Sequence, residues 1–110
     1  MSNRRLRLGS LLQQELAKIL QQYANDFAVN GVSITEVRPS PDLSYAKIYI
    51  TVIESEKRQE YVNKLNELSP MLRHILAKNA NLRKTPKLHF VYDESVIYGD
   101  KMSKLISGVE

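Results

Sequence analysis

The sequence predicts an α+β domain: a three-stranded mixed sheet covered by helices on one face, in the order α-β-β-α-α-β. Three observations predict it. Apolar residues recur at helical spacing in residues 4–23 and again in residues 55–80. They alternate in three short β-rich runs. The first two runs are joined by a short connection, which makes them antiparallel. The second and third are separated by helical sequence, which makes them parallel through a right-handed crossover.

The first helix carries Leu8, Leu12, Leu16, Ile19, Leu20 and Tyr23 on one face, with Leu11 beside them. Asn30-Gly31 is a turn signal. VSITEV (Val32 to Val37) alternates and reads as the first strand, and RPSPDL is a short, rigid connection. SYAKIYITVI (Ser44 to Ile53) is the clearest strand in the chain. Ala46, Ile48, Ile50 and Val52 share one face, and Tyr45, Lys47, Tyr49 and Thr51 share the other. Being the most apolar, it is placed at the centre of the sheet.

The second helix is expected from Ser55, as its N-cap, to Leu68, through Tyr61, Val62 and Leu65. At Leu68-Ser69-Pro70 it should stop or kink. Proline disfavours the helical conformation of the residue before it, and Ser69 followed by Pro70 is a favourable start for a new helix. The third helix then carries Met71, Leu72, Ile75, Leu76 and Ala80. Thr85-Pro86 ends the connection, and KLHFVY (Lys87 to Tyr92) is the third strand. The tail offers Ser95 as a cap and a weak last helix through Met102, Leu105 and Ile106, with Gly99 against it. No repeat, low-complexity segment or linker divides the chain, so residues 1–110 are expected to form one domain. The element order is that of the type II KH-like fold, an RNA-binding architecture, although fold alone does not assign function.

Composition bounds the chemistry. With 43% hydrophobic and 25% charged residues the chain is ordinary globular material. It has no cysteine, which removes disulfides, thiolate metal sites and cysteine nucleophiles, and fits a reducing compartment. No apolar run approaches the ~18 residues of a membrane span. The basic, amphipathic N-terminus lacks the continuous apolar core of a signal peptide, and its periodic pattern continues as a helix of the fold.

The charge distribution is more telling than the net +4. From Leu68 to Tyr92 there is no Asp or Glu, while Arg73, Lys78, Arg83, Lys84 and Lys87 all fall in that window. Arg4, Arg5 and Arg7 precede the first acid. These eight cations leave eight others against all 12 acids, so the rest of the chain carries −4. A solvated helix face usually mixes signs, because Glu and Lys one turn apart support each other. One-sided charge points to an anionic partner, and the two segments are candidate RNA-phosphate contacts. Tyr45, Lys47 and Tyr49 interleave aromatics with a cation on the other strand face, a pattern some RNA-binding sheets use for base stacking. KH-like folds bind along a helix edge, so the sequence favours ordinary half-exposed strand residues there.

Catalytic patterns are missing. His74 and His89 have no paired-ligand spacing, so no metal site is expected. Asp93 and Glu94 are adjacent at a strand end and point apart, which makes Asp93 a turn or cap acceptor. There is no glycine-rich phosphate loop and no Ser/His/Asp spacing. A catalytic role and a cofactor are therefore not expected.

Three segments in register resemble the ribosome-binding factor A family. A D-L-x-x-A-K-x-Y-V strand is matched by Asp42, Leu43, Ala46, Lys47, Tyr49 and Ile50. An L-R-x-x-P-x-L-x-F segment is matched by Leu82, Arg83, Pro86, Leu88 and Phe90, and a D-x-S-x-x-x-G ending by Asp93, Ser95 and Gly99. The resemblance implies a cytoplasmic, non-catalytic, cold-adaptation-linked assembly factor. It would bind the immature small (30S) ribosomal subunit, with 16S rRNA and its precursor as partners, and assist late maturation and 5′-end processing. It also implies a protein monomeric when free. One departure stands out: the family has an Ala-x-Gly kink between its helices where this chain has Leu68-Ser69-Pro70. Proline offers no backbone N–H there. The alternative from another class is a protein–protein adapter of an RNA-processing complex, using the first helix and the C-terminal tail.

Overall fold

A computed structural model describes residues 2–80 and 84–95, with side chains from Arg7 onward. The elements are α1 (Ser2–Phe27), β1 (Val32–Pro39), β2 (Tyr45–Val52), a 3-10 turn (Ser55–Lys57), α2 (Arg58–Ala80) and β3 (Lys87–Tyr92). The sheet order is β1-β2-β3, with β1 antiparallel and β3 parallel to β2. Both helices lie on one face, giving the α+β, type II KH-like arrangement with β2 at the centre.

The alternation in β2 sorts the two faces. Ala46, Ile48 and Ile50 are fully buried, and Leu88 and Phe90 join them from β3. Leu12, Leu16 and Ile19 of α1 and Leu65, Leu72 and Leu76 of α2 close over them in one cluster. β1 reaches this cluster through an irregularity. Its register with β2 slips between Ile34 and Glu36, leaving Thr35 as an extra residue. The bulge shifts the inward phase from Val32 and Ile34 to Val37 and Pro39. Gly9 of α1 packs where a Cβ would stand 3.1 Å from the Val37 carbonyl, so α1 lies close over this end of β1.

Three sequence expectations are corrected. The expected stop at Leu68-Ser69-Pro70 does not occur: α2 is one helix from Arg58 to Ala80 with Pro70 inside it. An interior proline removes one helix hydrogen bond and costs about 3 kcal/mol. Tertiary contacts on both sides of it outweigh that cost. Leu65, Leu72 and Leu76 form one stripe in a single core, and the polar residues between them are tied to β3. Ser69 is accordingly not an N-cap. Ser55 is not one either: it opens the 3-10 turn, whose cap position is Glu54 without a side-chain bond. At the end of β3, Asp93 and not Ser95 supplies the capping oxygen. Asp93 Oδ1 accepts the Ser95 backbone N–H at 3.0 Å and the Ser95 hydroxyl. The expected last helix beyond residue 95 lies outside the described residues.

Candidate nucleic-acid interface

α2 runs antiparallel along the outer edge of β3 and is fastened to it by three side chains one or two helical turns apart. Alternate residues of a strand flanked on one side only leave their N–H and C=O groups unpaired at the edge. Here Asn66 meets Phe90 with both ends of its amide: Nδ2 donates to the Phe90 carbonyl at 2.9 Å, and Oδ1 accepts its N–H at 2.7 Å. Ser69 Oγ donates to the Leu88 carbonyl at 2.6 Å. Arg73 donates Nε and Nη2 to the Thr85 carbonyl at 3.0 and 2.8 Å. Between the helix and the edge lies an open groove of about 440 Å³. Asn66, Ser69, Pro70 and Arg73 line its helix side, and Lys87, Leu88 and His89 its strand side.

The groove at the opposite edge is different. It lies between α1 and β1, measures about 540 Å³, and is lined by residues such as Leu20, Ala24, Val29 and Ile34. Among the described residues, no ionisable side chain borders it.

The sheet topology gathers the two basic segments. The C-terminal end of β1 and the N-terminal ends of β2 and β3 lie at one end of the sheet. α1 begins there, as Gly9 against Val37 and Pro39 shows, and α2 ends there, because Arg73 reaches back to Thr85. Arg4, Arg5 and Arg7 in the first turns of α1, Lys78 near the end of α2, and Lys84 and Lys87 before and at the start of β3 therefore share one pole. Arg7, Lys78, Lys84 and Lys87 are exposed, and Arg73 is half-buried on its carbonyl. The side chains of Arg4 and Arg5, and all of Arg83, lie outside the described residues. Asp26, Glu54, Glu56, Glu60, Asp93 and Glu94 fall toward the other end, at the end of α1, around the 3-10 turn and after β3. The polarity of the sequence is thus a polarity of the molecule.

Local helix energetics do not account for the arginines. The N-terminus of a helix carries partial positive charge and favours acids. α1 has no acid in its first turn, and Arg4, Arg5 and Arg7 cluster near that same end. Lys78, by contrast, sits in the last turn of α2 and suits the dipole there.

Asp42 at this end and Asp93 at the other are each held by their own turn. Asp42 Oδ1 accepts the hydroxyls of Ser40 and Ser44, both at 2.7 Å, and the Ser44 N–H at 3.1 Å. These bonds, Ser40 first, hold its carboxyl down to about 2. They also close the β1–β2 loop, in which Leu43 takes a φ of 60°. Asp93 is likewise lowered, first by the Ser95 hydroxyl and then by that of Thr35. The matched Asp42 and Asp93 positions are therefore loop and cap acceptors. His74 is exposed on α2, and His89 lines the groove. Among the described residues, no three His, Asp or Glu side chains come together to hold a metal ion. No helix among them is long and apolar enough to cross a membrane.

Sequence reasoning missed Asn66, whose role depends on an edge strand distant in sequence. It also missed Arg38, which aligns with Lys47 only through the bulged register.

Comparison with known proteins gives a consistent result. The family model described as ribosome-binding factor A matches residues 4–106. Ribosome-binding factor A of Coxiella burnetii is 40% identical over 106 residues, covering 96% of this chain and 89% of that one. The solution structure of a candidate ribosome-binding factor A from Thermotoga maritima is 31% identical with a TM-score of 0.66, over 83% of this chain and 88% of that one. The crystal structure of Thermus thermophilus ribosome-binding factor A shares the fold, with a TM-score of 0.70 at 24% identity over 80% of this chain and 94% of that one.

Proposed function

The chain belongs to the ribosome-binding factor A family, and from that premise we propose that it is a non-catalytic assembly factor for the small (30S) ribosomal subunit. It acts in the cytoplasm as a single KH-like RNA-binding domain, residues 1–110, monomeric when free. It binds 16S rRNA and its precursor in the immature subunit, assists late maturation and 5′-end processing, and supports growth in the cold. The observation that carries this reading is the convergence of the two basic segments on one pole, beside a groove whose walls are fixed by Asn66, Ser69 and Arg73.

The division of labour follows from the chemistry. Arg4, Arg5, Arg7, Lys78, Arg83, Lys84 and Lys87 supply phosphate contacts, which position a protein on RNA without reading sequence. Arg73 contributes mainly by holding the Thr85 carbonyl in place, between Lys84 and the groove residue Lys87. Binding energy is the mechanism. A factor shifts an rRNA conformation only by its differential affinity for two states, so it must prefer a fold that the mature subunit abandons.

Gradient sedimentation of a lysate containing the tagged protein tests the reading. The protein is expected with immature small subunits and absent from translating ribosomes. Migration with free protein only, or equally with all ribosomal particles, would contradict it.

A further inference from the structure

The sheet face turned away from the helices has no role in the reading above. Among the described residues nothing covers it. Its side chains form cross-strand rows: Tyr45 stands opposite Lys87, and Arg38, Lys47 and His89 line up across all three strands. These two rows contain no acid. Glu36, one row further, is paired with Arg38, and Asp93 is held by Thr35 and Ser95.

The two tyrosines are in different states. The Tyr49 ring lies under the Arg38 guanidinium at 5.2 Å and the Lys47 ammonium at 6.0 Å, so it organises those cations. Tyr45 is 41% exposed, and among the described residues no cation or ring stacks on it. Lys87 and His89 also border the groove between α2 and β3. A nucleic-acid strand leaving that groove over the edge of β3 therefore meets Lys87, then Tyr45 and Lys47.

We propose that this open face is a second contact surface for single-stranded RNA, with Tyr45 stacking on an unpaired base and Lys47 and Lys87 holding the phosphates beside it. The inference rests on the RNA-binding reading above and extends it from the groove to the sheet. Aromatic side chains with flanking cations are what sequence-tolerant single-strand binding requires. A protein partner would need a dry apolar centre. Along the paired rows of the described face the apolar groups are Val91 and the two tyrosines, and Arg38, Lys47, Lys87, His89 and Glu36 stand among them.

The chain has no tryptophan, which permits a direct test in the full-length protein. Tyr45→Trp places a sole indole on the face. Ile53→Trp places one on a residue 85% exposed, eight residues further along and roughly 26 Å away at strand rise. Each is titrated with an unstructured RNA oligonucleotide of about 12 nucleotides, a length typical of single-strand sites. Quenching is expected in Tyr45→Trp and not in Ile53→Trp. In the otherwise unaltered protein, Tyr45→Ala should weaken binding by roughly 5-fold or more, and Tyr45→Phe should bind like the parent.

Equal binding by parent and Tyr45→Ala, with an unquenched indole, would overturn the open-face contact and leave groove binding standing. An indole already shielded from solvent in the free Tyr45→Trp protein would overturn it too, because another part of the chain would then cover the face. If the parent binds neither the oligonucleotide nor the small subunit, it is the underlying RNA-binding reading that fails.

Discussion

On the outer edge of β3, Asn66, Ser69 and Arg73 hold the backbone groups of Phe90, Leu88 and Thr85. On the open face of the same sheet, Lys47 lies over the Tyr49 ring, and among the described residues Tyr45 has no stacking partner for its own ring. The first region uses polar side chains to satisfy backbone. An exposed strand edge invites pairing with another chain, and three side chains from one helix blunt it. The second region keeps its cations and one ring available to solvent. Polar groups committed to structure and those left to solvent are therefore separable here by asking what each already touches.

That contrast can be broken by substitution. The largest effect is expected at Pro70. If the edge contacts hold α2 as one helix through the proline, Pro70→Ala restores a helix hydrogen bond and stabilises the protein by up to about 3 kcal/mol. Thermal melting checks it. A lower melting temperature would mean that the proline, and not Asn66, Ser69 and Arg73, sets the path of the helix.

Asn66→Ala should act in the opposite direction. It strips the Phe90 N–H and C=O of their partners and should cost about 1–3 kcal/mol, read as a lower denaturation midpoint. Lys47→Glu on the open face should change stability by no more than about 0.5 kcal/mol, with RNA binding weakened. A variant at Lys47 as destabilised as the one at Asn66 would erase the distinction between the two regions.

The smallest effect concerns acid. The Asp42 carboxyl titrates at about 2 in the fold, below the roughly 3.9 of an unfolded aspartate. Its contribution to stability is therefore fully present above about pH 4 and is lost as pH falls from there through about 2. The melting difference between the parent and Asp42→Asn should shrink across that window and stay constant above it.

Much of this was legible in the residues. The alternation of β2 assigned both sheet faces, and the acid-free window from Leu68 to Tyr92 located the basic pole. The continuity of α2 was not, because the local signals of Ser69-Pro70 were read without knowing that Asn66 and Ser69 would find partners on the β3 edge and Arg73 on the loop leading into it. Arg38 escaped notice for a similar reason. The extra residue at Thr35 turns Val37 inward and Arg38 outward, and pairing with β2 makes that register explicit. For the open face, the sequence showed two tyrosines and a lysine but not that Arg38, Lys87 and His89 complete the rows.

We propose that this family member holds rRNA electrostatically from the pole where its two basic segments meet. Affinity for purified immature small subunits, measured against salt concentration, tests it most directly in the parent and in Lys84→Glu combined with Lys87→Glu. The parent should show a steep loss of affinity with salt. The variant should bind at least about tenfold more weakly, and its slope should be shallower by roughly 1.4, at about 0.7 for each single-strand phosphate no longer neutralised. Equal affinity and equal slope in the two proteins would contradict the account.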